Sequence, residues 1–522
     1  MLKTPQLARI KFVVIIILLI SILFRFTNLD QKVYWVDEVH TSLRASGYTR
    51  NDFIEQIPKN QVIGIEDLQR FQCIRPNTGL PETIKALKSA EHSPLYYLMA
   101  RFSLELFNCS PTTTRGLAAV ISLLEYPLIY WLSLELFSSP LTAWLSVALL
   151  AVSPFHLLYA QEAREYSLLT VAILFSSAAI LWSIRQKTPL SWGIYCLSVI
   201  FGLYTHPVIG LVFIGHGIYV LVIEKCKFTK NFKRYLIASI TGLIAFIPWI
   251  LVFIFNDDGV NWVNRSIPLV ILIQRWLLNL NALFFDVQVL QEQPLFNIST
   301  GQDQYLLNNY LVLIFIIPIF ILVKYSLYFL LRNTEPKIWL FLFLLMGVTS
   351  LTLVLPDLIS GGQRSTILRY LIASGLGIQL TVSYLLSRKI ETGKFIWKWI
   401  TAIILSLGII CSFVIINQET WWNKYSSYYK YEIARIINKS QSPLVITNSE
   451  RVSRLTSLSY HLEQKTKFIV ISRDESIDLP QNFRDIFLFK PYPELIEQLQ
   501  DNPDYQVEMI NNDYELWKVN SP

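Results

Sequence analysis

Apolar residues along this chain come in long blocks broken by short polar turns, and the blocks are too long and too uncharged for a globular core. Phe12 to Phe24, Val199 to Val222 and Leu311 to Val323 are examples. Taking runs of roughly 17 or more apolar residues as spans predicts about eleven. They lie near 11–28, 114–137, 141–158, 167–184, 190–205, 207–223, 235–255, 309–331, 337–356, 367–387 and 395–416. The stretch from Pro94 to Phe107 is shorter and contains Arg101 and Glu105, so it is expected to lie at the interface as a helix and not to cross.

Lysine and arginine orient the spans. Lys3, Arg9 and Lys11, Arg185 and Lys187, the Lys225 to Arg234 cluster, Arg332 and Lys337, and Arg388, Lys389 and Lys394 all fall in alternate connections. By the positive-inside rule these are cytoplasmic. The chain then reads as a multi-pass protein of the plasma (inner) membrane, with its amino terminus cytoplasmic and segments 29–113, 256–308 and 417–522 outside. The first block has a basic start like a signal peptide, but Arg25-Phe26-Thr27-Asn28 lacks a small-x-small cleavage site, so it is read as an uncleaved span.

The pattern changes after residue 416. Pro443 to Thr447, Lys467 to Ser472 and Ile486 to Lys490 read as short buried strands, and Arg451 to Glu463 and Pro493 to Leu499 as helices. The fold class expected is therefore a polytopic α-helical membrane domain, residues 1–416, followed by a small extracytoplasmic α/β domain, 417–522. Composition agrees: 53% of the 522 residues are apolar and 16% charged, against about 25% charged in soluble domains. The net charge of +7 sits in the short connections and forms no stripe, which argues against nucleic acid. Five cysteines exclude a disulfide scaffold. Cys73 and Cys109 both fall in the first outer segment, where pairing and two separate thiols are equally open.

In so apolar a chain, ionisable residues at the membrane rim are the informative ones. Tyr34-Trp35-Val36-Asp37-Glu38-Val39-His40 places two carboxylates just after the first span. Either can serve as a general base, and either can cap a helix over Val39 to Ser46. Glu91-His92-Ser93-Pro94 supplies two metal-ligand types but an incomplete site. Ser153-Pro-Phe-His156 runs into Tyr159-Ala-Gln161-Glu162-Ala-Arg164-Glu165-Tyr166, where Arg164 can bind a phosphate or close a turn against a glutamate. His206 ends a span after Tyr204-Thr205. Arg364 and Arg369-Tyr370 begin another, placed to snorkel or to meet a lipid phosphate.

Taken together, Asp37-Glu38, His92-Ser93-Pro94-Leu-Tyr-Tyr97, the Ser153 to Tyr166 loop and Tyr204-Thr205-His206 resemble the C-type glycosyltransferase superfamily, in particular protein O-mannosyltransferases and the lipid A aminoarabinose transferase. The resemblance covers roughly 10–225 well, and the later spans through hydropathy and Arg369-Tyr370. It implies an inverting hexosyl or pentosyl transfer from a polyprenyl-phosphate sugar to an acceptor, protein, lipid or glycan, on the outer face. Asp37 would act as base with Glu38 beside it, and Arg164, Arg369 and Tyr166 would hold the donor phosphate. A divalent metal ion at Glu91 and His206 is optional, and His92, Gln161, Glu162 and Glu165 line the same site. Relatives often carry a second proline where Ser93 stands here. The alternative is a polytopic transporter or flippase, which would use midplane broken helices in paired repeats; here the charges cluster at one face.

Overall fold

Leucine, isoleucine and phenylalanine in long runs satisfy hydrocarbon with their side chains, while the helix satisfies its own backbone, so each run folds as a helix. The computed structural model describes residues 4–76, 78–89, 92–255, 261–297, 301, 303–473, 479–480, 482–511 and 515–520. Among these, eight helical stretches are long and apolar enough to cross a membrane: Leu7–Phe26, Pro111–Phe137, Tyr166–Gln186, Lys230–Phe255, Tyr310–Asn333, Pro336–Ser360, Leu368–Glu391 and Phe395–Ile416. Tyr166–Gln186 and Leu368–Glu391 are mostly buried at the centre of the bundle. Lys230–Phe255 and Tyr310–Asn333 leave Ile240, Leu243, Ile314 and Ile317 exposed, the belt that lipid covers. The predicted spans 190–205 and 207–223 appear as shorter apolar helices, Pro189–Thr205 and Ile209–Ile223.

Two expectations change. The span predicted over 141–158 is two helices, Pro140–Ala151 and Pro154–Ala160, bent by 61°. Pro154 has no N–H to continue the ladder, and it drives Ser153 into extended backbone at ψ 119. Within segment 256–308, an apolar helix, Leu269–Ala282, stands where no helix was predicted. The interfacial helix is Leu95–Leu106, burying Tyr96, Tyr97 and Ala100 while Phe102 and Leu106 stay exposed.

The carboxyl-terminal domain is a sheet of β1 (Pro443–Asn448), β2 (Lys467–Ile471), β3 (Asp485–Phe489), β4 (Gln506–Asn511) and β5 (Leu516–Asn520) in the order β2-β1-β3-β5-β4. β1 runs parallel to β2 and β3, whereas β5 is antiparallel to β3 and β4. The first three strands match the sequence expectation. β4 and β5 went unpredicted, since Gln506-Val-Glu-Met alternates without a buried run. The sheet does not stand apart from the rest: Leu43, Phe53, Ile63, Leu68 and Phe71 of segment 29–113 share a core with Ile433, Leu455 and Phe468. Ile63 and Phe468 also exchange backbone hydrogen bonds of 2.9 Å in both directions. Cys73 and Cys109 form a disulfide that fastens this segment to the start of the second span.

Candidate active site

The helix Val36–Ala45 begins at Trp35, and its third residue, Glu38, accepts a hydrogen bond from the Trp35 N–H at 3.2 Å. Capping is only part of its work. Arg115 donates to both Glu38 oxygens at 2.7 Å, and the Ala163 N–H reaches Oε1 at 2.8 Å. The same guanidinium donates to the carbonyls of Leu29, Lys32 and Val33. Lys424 Nζ lies 3.7 Å from Glu38 and 3.0 Å from Glu162, which Asn423 also contacts. Burial alone would raise the Glu38 carboxyl, but Arg115 and Lys424 outweigh it and hold it at about 2. Glu38, expected beside Asp37 in catalysis, is thus a buried ionic anchor. Gln161 and Glu162 act as struts too: Gln161 Nε2 donates to the carbonyls of Phe24 and Thr27, and its Oε1 accepts from Lys32 at 2.5 Å.

Successive residues of a helix point in different directions, so Asp37 faces away from this anchor. Its side chain is 32% exposed, and Oδ2 lies 3.8 Å from Arg369 Nη1. Arg369 is buried within an aromatic collar: Trp35, Tyr166, Tyr370 and Tyr425 rings centre 5.7, 5.5, 5.5 and 5.4 Å from its guanidinium carbon. Its Nε has no hydrogen-bond partner among the described residues. Tyr425 takes φ 44 and ψ −115, costly backbone for a side-chain-bearing residue, and this places its ring against both Trp35 and Arg369.

Arg164 is occupied. Its Nη2 donates to Glu165 at 3.0 Å, and Nη1 to the Tyr97 hydroxyl at 3.1 Å, Thr41 Oγ1 at 3.3 Å and the Asp37 carbonyl at 3.4 Å. It fixes the helix that carries Asp37, and of its guanidinium nitrogens Nε is left without a partner among the described residues. Beside it, His92 Nδ1 lies 3.4 Å and His206 Nε2 4.0 Å from Glu165 Oε1. One ligand atom from each of these three residues falls within a mutual 4.8 Å. Burial and Arg164 push the His92 imidazole down, and burial pushes His206 down to about 4, so both are neutral at pH 7. The buried Glu165 Oε2 lacks a partner among the described residues. Two neutral imidazoles and a carboxylate with an orphan oxygen fit a divalent cation. Glu91, expected as a ligand with His206, lies outside the described residues.

Sequence reading missed Arg115, Lys424 and Tyr425. Arg115 near the start of a span was a signal in itself. Lys424 and Tyr425 were hidden in an aromatic run that reads as an interfacial belt.

Residues 91–252 match the family of dolichyl-phosphate-mannose-protein mannosyltransferases. That window contains His92, Arg164, Glu165 and His206 and leaves out Asp37 and Arg369. Comparison with curated protein sequences finds no match. Among solved structures, ArnT from Cupriavidus metallidurans bound to undecaprenyl phosphate is similar over 97% of both chains, at 13% identity and a TM-score of 0.51. The same protein in the apo state aligns over 97% of both chains at 12% identity and 0.51. An oligosaccharyltransferase of Archaeoglobus fulgidus aligns over 88% of this chain and 64% of its own, at 12% identity and 0.42.

Proposed function

We propose that this chain, which has the C-type glycosyltransferase fold and matches the mannosyltransferase family over residues 91–252, transfers a sugar from a polyprenyl-phosphate donor to an acceptor on the outer face of the membrane. The observation that carries the reading is Asp37, partly open and facing an Arg369 whose other neighbours are aromatic rings. Asp37 takes the proton of an acceptor hydroxyl or amine as that atom bonds to the anomeric carbon. The bond from that carbon to the carrier phosphate breaks on the opposite side, its electron pair leaves with the phosphate oxygen, and the configuration inverts. Arg369 meets the charge that develops there, in a collar where little water weakens it. Tyr166 presses the guanidinium into place. Arg164 acts as a positioning residue, through the Asp37 carbonyl and Thr41.

Two observations support a lipid-linked donor. The ArnT structure similar to this chain binds undecaprenyl phosphate. A cavity of about 240 Å³ has a largely apolar wall that includes Trp276, Leu280, Leu283 and Ile378 with Leu368 and Leu371, the neighbours of Arg369 in sequence, and such a wall suits isoprene units. His92, Glu165 and His206 would hold a divalent ion, which when bound supplies a further positive charge near the leaving phosphate. The positive-inside pattern supports a cytoplasmic amino terminus and an outer site.

The test is a panel of radiolabelled polyprenyl-phosphate sugars incubated with membranes containing the protein. Asp37→Asn and Arg369→Met should each lower label transfer by about 10² or more while the variants melt like wild type. Full transfer by Asp37→Asn would refute the assignment.

A further inference from the structure

The catalytic pair uses only one side of the Val36–Ala45 helix mouth. Asp37, His40 and Arg44 fall at i, i+3 and i+7 on that helix, so they share a face. The helix Val452–Ser459 packs against it, tied by the Ser457 hydroxyl donating to the Tyr34 carbonyl. Val452–Ser459 follows β1. From β1 the chain passes to β2 on one side and returns to β3 on the other, so a crevice opens beyond the carboxyl ends of β1 and β3. In parallel α/β sheets such a switch point is where ligands bind.

Cations line this crevice. Arg451 and Arg454 follow β1 and Lys490 follows β3, where its carbonyl accepts from Asn448 Nδ2 at 2.6 Å. Arg44 and Arg50 come from the first outer segment. The side chains of Arg44, Arg50, Arg451 and Arg454 make no hydrogen bond or ion pair with another described residue. The charges acting on Arg454 are Arg451, Glu515, Asp37 and Arg50, which places it within electrostatic reach of the catalytic acid. Those acting on His40 are Arg44, Arg50, Arg164 and Arg454. Two buried groups here lack partners: Nδ1 of His40, and Nζ of Lys430, a residue 1% exposed whose charged neighbours are the cations Arg454 and Lys490. Among the described residues, the one acid bonded to the cluster is Glu515, 2.9 Å from Lys490 and itself exposed. Burial, with Arg454 and Lys490 nearby, pushes the Lys430 amine well below its usual range, and an anion beside it would restore its proton and pair with it.

We propose that this crevice, formed by Arg44, Arg50, Lys430, Arg451, Arg454 and Lys490, binds the phosphate of an anionic acceptor and so presents that acceptor's nucleophile to Asp37. The acceptor role rests on the transferase reading above; the anion site does not. Several converging cations suit a phosphate better than a single carboxylate, and arginine forks match its oxygens.

The test uses the full chain in phosphatidylcholine nanodiscs, carrying Arg369→Met to silence the donor phosphate site, with inorganic pyrophosphate as the probe in calorimetry. Arg454→Gln and Lys490→Gln should each weaken binding at least about tenfold. Lys430→Met should weaken it as much while melting no lower, because it removes a buried nitrogen with no hydrogen-bond partner among the described residues. Unchanged affinity in Arg454→Gln and Lys490→Gln overturns the site. Phosphatidic acid added to the discs should displace pyrophosphate if the acceptor phosphate is a lipid headgroup, and leave it bound if the acceptor is a soluble phosphate ester; both results support the crevice. In the transfer assay with Arg369 intact, pyrophosphate should raise the KM for acceptor and not for donor, and inhibition independent of acceptor concentration overturns the acceptor role. A chain that transfers no sugar from any donor, while Arg454→Gln still loses pyrophosphate, sinks the transferase reading alone.

Discussion

Replacing Arg115 by methionine probes the anchor beneath the site. The substitution fills a similar volume but leaves Glu38 buried with only Lys424 at 3.7 Å to neutralise it. Breaking a buried ion pair from one side costs roughly 3–5 kcal/mol. The carbonyls of Leu29, Lys32 and Val33 lose their donor as well, and each orphaned buried carbonyl adds up to about 1–3 kcal/mol. Even with partial relaxation the loss should exceed about 4 kcal/mol, a large share of the roughly 5–15 kcal/mol typical of a folded protein. Titration from dodecyl maltoside into sodium dodecyl sulfate, followed by tryptophan fluorescence, measures it. Arg115→Met combined with Glu38→Gln removes both charges of the pair and should recover about 2 kcal/mol or more of the single-variant losses. A loss under about 1 kcal/mol for Arg115→Met, or additivity within about 0.5 kcal/mol, would refute the anchor.

Acid should act through the same pair. The Glu38 carboxyl is depressed from 4.5 to about 2, so its stabilisation is complete above about pH 4.5 and fades as pH falls through about 2; the gap is worth about 3 kcal/mol by linkage, and Glu38→Gln should flatten unfolding free energy across that window. Zinc competition against a chromogenic chelator should show affinity falling at least about tenfold in His92→Ala, Glu165→Gln and His206→Ala. Because His206 stays neutral down to about 4, zinc binding should persist at pH 5 and weaken as pH drops below about 4; equal affinity in all variants would disprove the site. Cys73→Ser opens a loop of 36 residues in sequence, worth about 4 kcal/mol in the loop-entropy account, and should lower the melting temperature and expose one thiol to maleimide.

What the sequence disclosed and what it withheld follow from the range of each interaction. Hydrocarbon imposes a local rule on every span, so the apolar blocks and the charges gathered at one rim were readable residue by residue. The bend at Ser153-Pro154 had its signal in the proline, which averaging hydropathy over 141–158 erased. The division of labour between Asp37 and Glu38 was not readable, because it depends on Arg115 and Lys424, 77 and 386 residues from Glu38 along the chain. For the same reason Arg164 and Arg369 looked alike in sequence. Glu165, Tyr97 and Thr41 hold the first; aromatic rings from four separate segments surround the second.

The exchange of hydrogen bonds between Ile63 and Phe468, and the core these two regions hold in common, bear on how such proteins can be recombined. A graft of the last hundred residues from one relative onto another would sever that seam and displace Lys424 and Tyr425 with it. Fragments 29–75 and 417–520 should travel as one cassette, and a chimera that respects this should inherit its parent's choice of target along with its stability.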